Sequence, residues 1–468
     1  MMTEPQGPIY MCYDAWLQEQ PLARDVALPQ PAHSKVPAPM AADPAALAAV
    51  AERLLAASYP VLMAEYVGRG ASGFGHLVAL AETVGAPVFD VHARLNFPNR
   101  HPLNLSCHKD IFRDADLIVS LDTRDWEKST HFIERTERRV VPHYRPHCDM
   151  IEIGFGEINL SKWSMDYTRM PACSLRVLGD TAIAIPALTQ ACRERIAKEP
   201  RLAARIKERA KAVAAKHDGL FASWSEQAKA DWDGVPIALP RLASEIWDVI
   251  KHEDWVLTAN TLQDWAYKLW DFDKPYRHPG QALGTGTQIG ISLGVALAHR
   301  GSGRLVVDIQ PDGDLLFDAG ALWSAAKNNI PLLVVMYNNR AYYNDWEHQI
   351  HVAQHRGTPV ERAYIAQDIA GRDPDFAAMA KVRGRADRGT RGDHTGAAPR
   401  RRQGKKRHAG AGRYRGAAAI SDARRIMASL SIFGIDRQQF GRTRVAIISG
   451  RIIHHIGDRQ LPLREQVP

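Results

Sequence analysis

The sequence predicts an α/β protein with two Rossmann-like, doubly wound parallel-sheet domains, and three observations carry that expectation. Residues 305–309 and 332–337 read as buried strands, apolar but for Asp308, with a helix-like run at 317–329 between them. Earlier in the chain, strand-like stretches at 59–67, 87–91 and 115–121 alternate with helical ones such as 74–84. The chain has 468 residues, enough for two or three domains that each bury a core.

Pro and Ala dominate residues 29–44, a composition that suits a linker rather than a core. A central domain is expected at 43–190, a helical linker at 191–235 and a second sheet domain at 236–380. Within the central domain Gly68, Gly70 and Gly73 fit Gly-x-Gly-x-x-Gly between a strand and a helix, and Asp90 lies near the end of the next strand. That pattern admits a bound dinucleotide or ADP-like ligand.

Asp312 and Asn339 carry the most chemical information. A parallel strand, helix, strand unit brings both strand ends to one edge of the sheet. Each of these residues follows such an end, where open α/β sheets bind ligands. A carboxylate and an amide oxygen suit a hard cation such as Mg2+, which completes its octahedron with phosphate and water. The helix start after Gly313 favours an anion, and a residue without a side chain lets backbone approach a phosphate. A metal-bound diphosphate is the local expectation. Asp-Gly and Asn-Asn are also ordinary turn pairs, a reading that keeps the fold and loses the ligand.

Pro311-Asp312-Gly313-Asp314, the run Ala321 to Pro331 and the closing Tyr337-Asn338-Asn339 together resemble the signature of thiamine diphosphate-dependent enzymes. The benzoylformate decarboxylase and acetolactate synthase branch is the most similar. The resemblance implies Mg2+ held by the side chains of Asp312 and Asn339 and by the backbone carbonyl of Ala341, with Gly313, Asp314 and Tyr342 along the diphosphate. Pro311 stands where the family's first glycine would be, removing one N–H and fixing φ.

Residues 283–294 resemble the segment that holds the cofactor's aminopyrimidine ring. By that resemblance the Leu283 carbonyl accepts a hydrogen bond from the ring, Gly284 lies beside it, and Thr285 takes the place of a bulky apolar wedge. Gly290 and Gly294, one helical turn apart, read as a smooth face for close helix packing. His278 and His348 flank these segments and are the candidates for moving protons at a substrate. Structural or exposed histidines are the alternative at both positions.

The resemblance implies a thiamine diphosphate- and Mg2+-dependent lyase or transferase that decarboxylates a 2-oxo acid or joins it to a second carbonyl. Residues 8–22 resemble the last strand and exit of the family's first domain, which binds the pyrimidine. Residues 1–42 are therefore expected to be the end of that domain and a linker. The family's essential glutamate lies in that domain, and neither Glu4 nor Glu19 matches its motif. A homo-oligomer, or a separate chain carrying the pyrimidine domain, is the implied assembly. A cofactor-binding remnant without turnover is the alternative.

Charge divides the chain. From Lys381 to the end there are 21 Lys and Arg against 6 Asp and Glu, leaving 39 against 46 before it. Residues 381–468 are thus an atypical basic tail, expected to be disordered or the product of a shifted reading frame, which in GC-rich DNA yields Arg, Ala, Gly and Pro. Tyr414 alone accompanies the basic clusters, which gives little support to base stacking and disfavours a nucleic-acid partner. No apolar run approaches the ~20 residues that cross a bilayer, so no membrane partner is expected. Residues 1–8 lack an export pattern, and five cysteines without metal or redox spacing suit a reducing cytoplasm.

Overall fold

The computed structural model describes residues 2–4, 6, 9–22, 24–33, 35–134, 136–137, 139–156, 172–234, 237–280, 285–371, 374–381 and 445–451. Two compact units emerge: residues 1–223 with 271–276, and residues 224–270 with 277–468.

The first unit opens with α1 (Ala15–Glu19), flanked by exposed extended chain; no strand forms among the described residues of 8–22. Then come α2 (Pro44–Ala56), β1 (Pro60–Ala64), α3 (Ala71–Val84), β2 (Val88–Asp90) and β3 (Leu117–Leu121). After α4 (Trp126–Thr130) a small antiparallel pair, β4 (His131–Glu134) and β5 (Arg139–Pro142), precedes β6 (Asp149–Gly154) and β7 (Leu175–Leu178). The helices α5 (Thr181–Lys198) and α6 (Pro200–Gln227) follow.

Strands β2-β1-β3-β6-β7 form one parallel sheet in that order. Both β1 and β3 are buried along their whole length, because a parallel sheet is covered on both faces. That is why their sequences read as near-continuous apolar runs, broken only by Ser120, rather than alternating ones. Leu54, Leu77, Leu80 and Leu188 from the helices meet Val61, Leu62, Ile118, Val119 and Ile151 from the sheet in one core.

Residues 191–235, expected as a linker, are continuous with this unit up to Ser223. Arg209 on α6 donates to the carbonyl of Ala57 at 2.8 Å and of Gly85 at 3.2 Å, and also to that of Val84. One guanidinium thereby satisfies carbonyls left open at the ends of α2 and α3. Burial pulls its pKa down to about 10.

The strand order places the topological switch between β1 and β3, the usual ligand crevice of such a sheet. Here the protein fills it with its own side chains. Arg69 pairs with Asp180 at 2.7 Å and with Asp122, which also accepts from the Thr181 hydroxyl. Asp90 is fully buried and accepts from the N–H groups of His92 (2.8 Å), Asn96 (2.7 Å) and Phe97 (3.1 Å) and from the Asn96 amide at 2.7 Å. Burial still pushes its carboxyl up to about 7. A carboxylate committed to its own loop has no oxygen directed at a ribose. Gly68 and Gly73 have a packing explanation as well: a Cβ would meet the carbonyl oxygens of Leu95 and Val67, respectively.

The second unit contains α7 (Leu239–Ile250), β8 (Trp255–Asn260), α8 (Trp265–Leu269), α9 (Gln288–Ala298), β9 (Leu305–Pro311), α10 (Asp312–Phe317) and α11 (Ala321–Lys327). It continues with β10 (Leu332–Asn338), α12 (Tyr343–Arg356), α13 (Phe376–Lys381) and β11 (Val445–Arg451). Its parallel sheet has the order β11-β10-β9-β8. Trp247, Trp255 and Trp270 pack ring to ring with centroids 5.5 to 5.9 Å apart, and the Trp270 indole donates to the Ala243 carbonyl at 2.8 Å. Such contacts add about 0.5–1.5 kcal/mol each beyond their area.

Three expectations are corrected here. The helix expected at 317–329 is two helices, α10 and α11, broken at residues 318–320, where Asp318 leaves the helical conformation and Gly320 begins the next turn. Gly290 and Gly294 point to open space, because α9 buries Ile289, Ser292, Leu293 and Ala296 instead. The tail is not wholly without regular structure: β11 pairs with β10 from Leu332↔Val445 to Asn338↔Arg451. The basic clusters at 382–444 lie outside the described residues.

If the glycine motif serves packing, Gly73→Ala destabilises the chain by about 1–3 kcal/mol through the clash with the Val67 carbonyl. Gly70→Ala, with open space around it and an ordinary φ, stays within about 0.5 kcal/mol. Denaturant unfolding of the two variants checks the contrast.

Candidate functional site

The carboxyl ends of β9 and β10 lie side by side, with Tyr337 opposite Pro311 in register. Pro311 ends its strand and caps α10 with φ −66° and ψ 142°, so proline's fixed φ is accommodated without strain. Asp312 follows, buried to 2% exposure. Its Oδ2 accepts the Arg340 N–H at 2.7 Å. Burial raises its pKa, while the N–H groups of Gly313 and Arg340 oppose the rise.

Arg340 adopts a left-handed conformation, φ 60°, that turns the chain after β10 back toward β9. The Asn339 Oδ1 accepts the Ala341 N–H at 3.1 Å, an Asx turn that fixes this side chain over its own loop. The loop is held from outside by Tyr342 N–H to the Gln367 carbonyl, 2.8 Å, and Ile369 N–H to the Arg340 carbonyl, 2.9 Å. Gly313 faces the Tyr342 ring: a Cβ would lie 2.6 and 2.7 Å from two ring carbons. The Tyr342 ring also meets Phe317 edge-on at 5.6 Å.

Asp314 connects this loop to the glycine segment. One oxygen accepts the Gly286 N–H and the other accepts from the Gln310 amide at 2.9 Å. Gly286 has φ +82°, a conformation that favours glycine, and Thr285 beside it is exposed. Leu283 and Gly284 lie outside the described residues.

The structure thus brings Asp312, Gly313, Asp314, Asn339, Ala341 and Tyr342 to one edge of the sheet and ties Gly286 to them. His278 is fully buried, its Nδ1 2.9 Å from the Leu257 carbonyl and its ring edge-on to Tyr267. His348 is exposed on α12. Gln310, absent from the sequence-based set, supports Asp314 directly. Its signal was position alone, two residues before Asp312.

Residues 259–400 match the family model "Thiamine pyrophosphate enzyme, C-terminal TPP binding domain". That stretch is similar to the C-terminal, cofactor-binding domain of the thiamine pyrophosphate enzymes. A probable chloroplastic acetolactate synthase 2 from Oryza sativa subsp. japonica is 24% identical over 350 residues, which is 69% of this chain and 47% of the rice protein. The chain therefore spans about half the length of that relative. Among solved structures, benzoylformate decarboxylase from Polynucleobacter necessarius aligns over 82% of this chain and 65% of its own, with a TM-score of 0.59 and 16% identity. A thiamin diphosphate-dependent enzyme from Mycobacterium smegmatis aligns over 78% and 62%, with a TM-score of 0.52 and 18% identity. At these identities the two structures establish the α/β fold. The matched stretch, 259–400, includes every member of the loop cluster described above.

The residues present fit a diphosphate held through a hard cation. Asp312 is a buried carboxylate with one oxygen fixed by a backbone donor, and the Asn339–Ala341 loop supplies neutral oxygens beside it. Gly313 keeps the approach narrow and free of a side chain of its own.

Gly313→Ala forces the Tyr342 ring to move and costs about 1–3 kcal/mol. In the Tyr342→Ala background the same substitution is close to neutral, and a thermal-denaturation double-mutant cycle reads that coupling.

Proposed function

We propose that the second unit binds thiamine diphosphate through Mg2+ and serves a lyase or transferase that decarboxylates or joins 2-oxo acids. The observation that carries this reading is the Arg340 N–H held by the Asp312 carboxylate, which keeps a buried anion beside the Asn339–Ala341 loop. Asp312 and Asn339 would hold the metal through their side chains and Ala341 through its carbonyl. Gly313, Asp314 and Tyr342 would line the diphosphate, and Leu283, Gly284 and Thr285 the pyrimidine end. When bound, the cofactor supplies the carbon nucleophile and the electron sink that loss of carbon dioxide requires.

This chain's residues contribute position. Asp312 would offset metal charge, Asp314 fixes the Gly286 turn against the loop, and the Tyr342 and Phe317 rings pack edge-on beside it. Phe317 (62% exposed) and Trp323 (56%) leave large apolar surface on this unit, which supports a covering protein surface from a second copy or a separate chain with a pyrimidine domain. We place the protein in the cytoplasm. Its five cysteines form no disulfide, and among the described residues no helix is long and apolar enough to cross a membrane.

The alternative is a cofactor-binding chain that turns over nothing by itself. Adding a separately produced pyrimidine domain distinguishes the two, because only the first reading gains decarboxylation or carboligation.

Calorimetry with Mg2+ and thiamine diphosphate tests the ligand set. Asp312→Ala should abolish binding, and Asn339→Ala should weaken it by at least about 10-fold, the loss seen even for residues that only support a ligand. Undiminished affinity in Asp312→Ala refutes the assignment.

A further inference from the structure

Beneath the loop, on the face of β9 that meets α9, lies a polar column that the cofactor does not require to be polar. Asp308 and Gln310 are two residues apart on the same strand, so their side chains share a face, and both are fully buried. Asp308 sits mid-sheet, paired with Val334 on β10 and Ala259 on β8. Ser292 is close enough to interact with its carboxyl, yet neither carboxyl oxygen has a hydrogen bond of ordinary geometry among the described residues. The Gln310 Oε1 is likewise buried without a donor.

Two hydroxyls lie nearby. Thr258, at the bulge in β8, donates to the Val307 carbonyl at 3.1 Å. Its oxygen lies 2.7 Å from that of Ser292, and either hydroxyl can be the donor between them. Asp308 and Gln310 thus share one buried face, with the Asp308 carboxyl oxygens and the Gln310 Oε1 lacking a partner of ordinary geometry among the described residues. Leaving such groups unmatched costs several kcal/mol. A single proton resolves both.

We propose that Asp308 is a positioning residue that works as a neutral acid: its O–H donates to the Gln310 Oε1, which holds the Gln310 amide on Asp314 and so fixes the Gly286 turn of the cofactor site. The chain of bonds is Asp308 to Gln310, Gln310 to Asp314 at 2.9 Å, and Asp314 to the Gly286 N–H. Loss of the proton sets two carboxylates on one column. The Gln310 amide then turns toward the nearer new charge and releases Asp314.

The surroundings favour the neutral form. Burial pushes the Asp308 carboxyl up to about 8 against the hydrogen-bonding influence of Ser292, and the Asp314 charge adds a smaller push upward. Asp314 on α10 is the charged group facing it. The helix α9 and strand β8 carry no ionisable side chain, and Tyr337 on β10 is held by burial and by Asp312 well above its ordinary range.

This inference rests on the cofactor reading above, and its test separates the two. Thiamine diphosphate and Mg2+ are titrated calorimetrically into the full chain at about pH 7 and about pH 9.5. If only the protonated form is competent, wild-type affinity falls roughly 30-fold between them, from the competent fraction alone. Asp308→Asn keeps a neutral donor toward Gln310 and should bind equally at both values. Asp308→Val, neutral but without a donor, should bind weakly at both. A flat wild-type profile, or an Asp308→Asn profile that falls in parallel with it, overturns the role of Asp308.

If none of the proteins binds at either pH, the cofactor reading fails, and unfolding of the unliganded chain still decides the proton. A carboxyl raised from 3.8 to about 8 in the folded state contributes stability that is complete below about pH 3.8 and is lost as pH rises through about 8. Wild type should lose melting temperature relative to Asp308→Asn across that window. Equal losses overturn the neutral-acid assignment.

Discussion

The hydrogen bond between the Arg340 N–H and the Asp312 carboxylate, 2.7 Å long, is the constraint on which the candidate site depends. Parallel pairing of β9 and β10 brings two strand ends together but leaves the loops beyond them free to splay. The bond closes them. It requires Arg340 to take a left-handed conformation, φ 60°, which costs a non-glycine residue of the order of 1 kcal/mol. The loop's bonds to Gln367 and Ile369 offset that strain, so residues 367–369 belong to the architecture of the site although they supply no candidate ligand.

Much of this was legible in the sequence because buried parallel strands leave a simple trace. Leu305 to Ile309, but for Asp308, and Leu332 to Tyr337 are apolar on both faces, and their ends fix where Asp312 and Asn339 must fall. Long-range pairing was less accessible. Nothing local told that β11, more than a hundred residues beyond β10 in sequence, pairs with it. The break at 318–320 was hidden because helical periodicity continues across it.

Residue identity left two readings open where the same residue serves two purposes. Gly68, Gly70 and Gly73 carry the spacing of a phosphate loop, but the first and last of them admit the carbonyls of Leu95 and Val67. His278 stands beside the cofactor segment in sequence and in the core in space. Spacing reports where a backbone must turn or approach closely. It does not report whether the visitor is a ligand or another part of the chain.

Arg209 bears on where this protein can be cut. A single side chain on α6 closes the carbonyl ends of α2 and α3, elements that precede it by more than a hundred residues. A fragment that stops after β7 or α5 would keep every strand of the first sheet and yet expose those carbonyls, with Ile206 and Val213 missing from its core. The smallest piece of the first unit able to fold by itself therefore has to reach past residue 213, so its folding boundary lies well beyond its last strand.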